Sequence, residues 1–205
     1  VLGHMGNLLF PYEQAASGDQ RFQHRYYVDG PLTVSDAYYG AGAQAGWRTV
    51  LVGSTGAGAK GVFALNVSTV SRTAGNFAAA DRLWEVSALI ANLTQAQRDN
   101  IGHVLGRPVI VPVKTGSATG PVRWRAIFGN GYNSTSGKAV LYMVDIAAGA
   151  PQITMVEAVE SNSPAGSNGL GNLVVLDRFT AAADNSLTAP GRDGFADTVY
   201  AADQK

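Results

Sequence analysis

One short pattern occurs twice in this chain, and it restricts the fold more than any other feature. Trp47-Arg48-Thr49-Val50-Leu51-Val52-Gly53 and Trp124-Arg125-Ala126-Ile127-Phe128-Gly129 both run from Trp-Arg into branched or apolar residues and stop at glycine. A glycine-rich turn follows each. Beyond those turns, Gly61–Val67 and Lys138–Ile146 read as return strands, so the repeating unit is a β-hairpin. Leu173–Leu176 followed by Thr198–Ala201 reads as a third copy with a long insertion in its turn.

The wider chain agrees with that unit. Its 25 glycines, with serines and asparagines, fall in clusters between runs rich in Val, Leu, Ile, Tyr and Trp, the pattern of strands joined by turns. Strands are expected at Arg48–Val52, Val62–Val67, Arg123–Phe128, Val140–Ile146, Ile153–Val156, Leu173–Leu176 and Thr198–Ala201. The class is all-β. One short helix is expected over Leu93–Ile101, with Thr94 as its N-cap, and a second, weaker one over Leu2–Leu9, ahead of Pro11. Hairpins recurring with long decorated connections fit the four-stranded blades of a propeller better than a sandwich. Residues 48–53 should then pair with 61–67, and 124–129 with 139–146, in neighbouring blades packed face to face. Trp47, Trp84 and Trp124 are expected to pack between blades.

Charge excludes several partners. Lysine plus arginine number 15 and aspartate plus glutamate also 15, with no basic stripe for nucleic acid and no polybasic cluster for lipid. No apolar run approaches the ~20 residues of a membrane-spanning helix. Cysteine is absent, which removes disulfides and thiolate metal sites. The start, Val1-Leu2-Gly3-His4-Met5, has neither a basic stretch nor a cleavage site, and reads as cut from a longer chain.

Catalytic chemistry is equally hard to assemble. His4, His24 and His103 are the only histidines, and none has a ligand or carboxylate at metal-binding spacing, so solvated or capping roles are expected. Ser54–Gly61 has the glycines of a phosphate loop but the wrong order, and a strand follows it; a hairpin turn is expected. Asp29-Gly30 and Gly129-Asn130-Gly131 read as turns, and Asp36, Asn66 and Asp145 as strand-end turn residues. No enzyme activity is expected.

Six segments in order carry a resemblance to a known family. They are Tyr26–Pro31, Trp47–Gly53, Gly61–Leu65, Gly129–Ser134, Asn168–Leu170 and Asp193–Asp203. In that order, over about Leu2 to Asp203, the chain resembles the C-terminal domain of the PilY/PilC family of type IV pilus-tip proteins. The resemblance implies part of a modified seven-bladed β-propeller, with residues 1–205 as about three blades of one domain and the rest of the propeller completing it. It implies an exported protein at the pilus tip, outer membrane or cell surface. Such a protein supports pilus extension, twitching motility and adhesion, with pilus subunits, minor pilins and host or other surfaces as partners.

The same resemblance implies a calcium site in a loop of the form Asp-x-Asp/Asn-x-Asp/Asn-Gly-x-x-Asp. Calcium takes about six to eight oxygen ligands, which such a loop supplies from one segment. Asp193-Gly194-Phe195-Ala196-Asp197 matches its second half, with Phe195 offering a backbone carbonyl. Its first half departs from the pattern, because Ala189 and Gly191 stand where oxygen-bearing side chains belong. Asp177, Asp184 and Asn185 are the residues that could complete the shell around the insertion. Two other functional classes remain open at this stage. A quinoprotein-like dehydrogenase would need a cysteine pair that is missing, and a carbohydrate-binding propeller would need exposed aromatics around one pocket.

Overall fold

The computed structural model describes residues 26–68, 78–115, 120–147, 150–158, 168–178 and 193–204. The expected helix at Leu2–Leu9 and the positions His4, His24, Asp184 and Asn185 lie outside them. Two four-stranded antiparallel sheets and a two-stranded hairpin make up the described fold. The first sheet holds β1 (Leu32–Tyr39), β2 (Gly46–Ser54), β3 (Gly61–Asn66) and β4 (Arg82–Ser87) in chain order. The second holds β5 (Val109–Lys114), β6 (Val122–Gly129), β7 (Val140–Asp145) and β8 (Ile153–Glu157), again in chain order. β9 (Leu170–Leu176) pairs with β10 (Thr198–Asp203).

Both expected hairpins form. Val50 pairs with Asn66 and Ser54 with Val62; Arg125 pairs with Asp145 and Gly129 with Leu141. They lie in separate sheets, each a meander of four strands, as propeller blades require. Because strand side chains alternate between faces, Val50, Val52, Val62, Ala64, Trp84 and Val86 gather on one face of the first sheet. Ile110, Ala126, Phe128, Val140, Tyr142 and Val144 gather on one face of the second. All twelve are buried in one apolar cluster, so the two sheets pack face to face. Phe128 and Tyr142 stack across β6 and β7 at 5.4 Å between centroids. The Tyr142 hydroxyl then leaves the core and donates to Gln97 O at 2.8 Å. Burial raises its pKa.

Gln97 belongs to α1 (Gln95–Asn100), the expected helix. Thr94 Oγ1 accepts from Gln97 N at 3.2 Å, and Gln97 Oε1 accepts from Thr94 N at 2.9 Å, a reciprocal cap for two otherwise orphaned amides. The helix decorates the connection from β4 to β5.

Three strands are present that the sequence pattern did not announce. β1 mixes Ser35 and Asp36 into its apolar positions, and β4 carries Arg82 and Glu85 within six residues. β5 contains Pro112, which argues against a central strand. It is the edge strand of its sheet, where a missing N–H breaks no ladder.

The third hairpin also differs from expectation. β9 follows a finished four-strand sheet, and its entry packs on the turn after β6. Gly131 N donates to Leu170 O at 2.9 Å, and Leu170 N donates to Asn130 Oδ1, also at 2.9 Å. The entry to β5 meets the turn after β2 in the same way, through His103 Nδ1, 3.2 Å from Gly56 O. β9 and β10 therefore stand as the first and second strands of a third blade. They are not the second and third, which the repeated hairpin suggested.

Candidate functional site

The turns that connect second and third strands are structural. Ser54–Gly61 closes β2 onto β3, with Thr55 Oγ1 donating to Ala59 O at 2.6 Å and Thr55 N to Gly61 O at 3.0 Å. Asp29 Oδ1 accepts from Ala57 N at 2.9 Å, tying the entry of β1 to that turn. In the second sheet the corresponding role falls to Asn130, which is fully buried. Its side chain donates to Asn100 O and Lys138 O and accepts from Val140 N and Leu170 N, joining α1, β7 and β9. Gly131 beside it has φ 73°, and a Cβ there would lie 2.0 Å from His103 O. The segment is more than the turn its residues suggest: it is a three-way junction.

Other expectations need correcting. Asp145 does not serve as a strand-end turn residue. Its carboxylate is buried and accepts from Arg123 Nη1 at 2.9 Å and Arg125 Nε at 2.7 Å. The signal was available: Arg-x-Arg on β6 stands opposite Asp on β7 once the register is known. His103 is half-buried between blades and stacks on Tyr132 at 5.1 Å, so it is neither solvated nor a cap. Trp84 is buried in the core and Trp124 packs against it. Trp47 is 63% exposed and makes an edge contact with Trp124 of the next blade, at 5.5 Å between centroids. Asp36 and Asn66 do local work, accepting from Thr49 Oγ1 and from Ser68 respectively.

The acidic loop between β9 and β10 is the candidate site. Four of its six expected residues, Asp177, Asp193, Phe195 and Asp197, are described, and the fold brings them together. Asp177 Oδ2 accepts from Gly194 N at 2.8 Å, and Asp193 Oδ1 from Phe195 N at 3.1 Å. Asp197 Oδ1 accepts from Arg178 N at 3.0 Å and from the Thr198 hydroxyl at 2.8 Å. Gly194 makes the sharp turn at φ 86°. A cation is already present in this constellation. Lys114 Nζ, from β5 of the neighbouring blade, donates to Asp193 Oδ2 and sits 4.8 Å from the centroid of the Phe195 ring. That hydrogen bond holds the Asp193 carboxyl below its ordinary pKa.

Calcium needs about six to eight oxygens at roughly 2.3–2.6 Å. Among the described residues, no group of three or more His, Cys, Asp or Glu side chains is placed to hold a metal ion. Asp177 Oδ1, among the described residues, is buried without a hydrogen-bond partner. The described half of the loop does not by itself make a calcium cage.

Comparison with known proteins gives a single answer. A family model described as the PilY1 beta-propeller domain matches residues 12–205. A type IV pilus biogenesis factor PilY1 homolog from Xylella fastidiosa is 41% identical over 210 residues, covering 99% of this chain and 11% of that protein. Type IV pilus biogenesis factor PilY1 of Pseudomonas aeruginosa (strain PAO1) is 33% identical over 192 residues, covering 94% of this chain and 13% of that protein. The crystal structure of the Pseudomonas aeruginosa PilY1 C-terminal domain superposes with a TM-score of 0.59 at 30% identity, covering 86% of this chain and 28% of that one. The chain thus spans about an eighth or less of the curated relatives it matches. With blade-like meanders in place and a family model matched from residue 12 to the last residue, the chain belongs to the PilY1 β-propeller family.

Proposed function

We propose that this chain works as a propeller sector of a type IV pilus biogenesis factor, exported to the pilus tip, outer membrane or cell surface. In this reading it supports pilus extension, twitching motility and adhesion, and engages pilus subunits or minor pilins. It carries no catalytic step. The observation that supports the reading is the match of residues 12–205 to the family, joined to relatives named for pilus biogenesis. The described residues add a scaffold of two packed sheets whose turns are joined by Thr55, Asp29 and Asn130. No helix among them is long and apolar enough to cross a membrane.

Deletion of the gene in its own host tests the proposal. Surface pili counted by electron microscopy, and the twitching zone on agar, should both fall sharply. A copy carrying Phe128→Ala, which opens a cavity in the shared core, should fail to restore them. Unchanged piliation and twitching in the deletion strain would refute the reading.

A further inference from the structure

The described end of the loop between β9 and β10 is fastened to a different blade by side-chain and backbone contacts. Lys114 and Asp193 are 79 residues apart and join the end of β5 to the start of the loop's described part. Lys114 also lies over the Phe195 ring, and Ala196 N donates to Pro112 O at 2.9 Å. Pro112 and Lys114 thus hold Asp193, Phe195 and Ala196 from one edge strand. These include two of the positions that the family loop assigns to calcium.

We infer that the Lys114 ammonium takes the place of calcium in this chain, so the loop docks on the neighbouring blade without metal. The charge logic is direct. The family loop concentrates carboxylates that need a cation, and this chain lacks side-chain oxygens at Ala189 and Gly191. Fewer anionic ligands suit a single positive charge better than a divalent ion that needs about six oxygens or more. An ammonium on Asp193 also repels a second cation brought to the same carboxylate. Phe195 offers the lysine its ring face, a contact suited to ammonium groups. Lys114 is a positioning residue for the loop and has no catalytic role.

The inference stands apart from the pilus reading, because it is tested on purified full-length protein by hydrogen exchange of peptides covering residues 193–204. Wild-type protein should exchange at the same rate in millimolar calcium and in chelator. Lys114→Gln should exchange several-fold faster in chelator, and Lys114→Arg should restore protection. Wild-type protection that drops in chelator would overturn the inference in favour of a metal-held loop. Unchanged protection in Lys114→Gln would overturn it as well, by showing the lysine to be idle.

Discussion

The two complete blades share a strand order and a hairpin chemistry, yet the outer face of the first lies open while that of the second is covered in part. In the first, the face turned away from the second blade carries Leu32, Val34 and Tyr38, exposed at 50%, 58% and 47%. Leu51, Phe63 and Leu65 lie on the same face and are only half-buried. In the second, Ile127, Val113 and Asp145 on the equivalent outer face are buried, where β9 packs against β6, while Leu141 and Met143 are half-buried and Val156, on the far edge strand, is 50% exposed. One sheet therefore shows what a blade between neighbours looks like. The other shows the same apolar face without its neighbour. Burial here follows the number of flanking blades more than the composition of the strand.

The largest expected effects come from cutting into either face of the second blade. Phe128→Ala should cost about 3–5 kcal/mol and Ile127→Ala about 2–5 kcal/mol in denaturant unfolding, since both side chains are almost fully enclosed. An Ile127→Ala loss within ~0.5 kcal/mol, the range of an ordinary surface change, would mean that β9 does not seal that face.

Next in size is the charge cluster on the same face. Asp145→Ala leaves Arg125, whose side chain is only 14% exposed, without its partner. A loss of about 3 kcal/mol is expected, because an unpaired buried charge is costly. Asp36→Ala, on the exposed face of the first blade, should stay within ~0.5 kcal/mol. Equal losses at the two aspartates would erase the contrast between the blades.

Much of this was legible in the sequence, for local reasons. The two Trp-Arg hairpins have their strands, glycine turns and alternation within about 20 residues each, and both pairings formed as expected. Thr94, with helix formers behind it, announced the helix, while the return bond from Gln97 is seen only in the structure. β1, β4 and β5 were hidden because polar or proline residues interrupt their alternation, which edge positions and neighbouring strands tolerate. The place of β9 and β10 within their blade depends on hydrogen bonds to Asn130 and Gly131, about 40 residues earlier. Loop chemistry divided in the same way. Asp193 and Asp197 were readable from a family pattern, but Lys114 has no local signature and reaches the loop only through the tertiary fold.

A smaller effect comes from acid. The hydrogen bond from Lys114 lowers the Asp193 pKa in the folded state, so the pair stabilises the folded chain fully above the ordinary carboxylate pKa of about 4. The contribution fades as pH falls through the lowered folded-state value. The difference in melting temperature between wild type and Lys114→Gln should be constant near neutrality and shrink in strong acid. A difference that survives strong acid undiminished would show that Lys114 acts through its contact with the Phe195 ring or its alkyl stem and not through the ion pair.

Solvent access at Val34 tests most directly whether this chain is a sector of a larger propeller. These 205 residues contain no cysteine, and labelling of the unsubstituted full-length protein sets the background. In the full-length protein, Val34→Cys should react with a thiol reagent far more slowly than Leu89→Cys, which lies in the loop after β4 and is 73% exposed. Slow labelling at position 34 would show a further blade covering the apolar face left open here. Labelling at position 34 as fast as at position 89 would contradict it, and would leave the first blade as a true edge of the molecule.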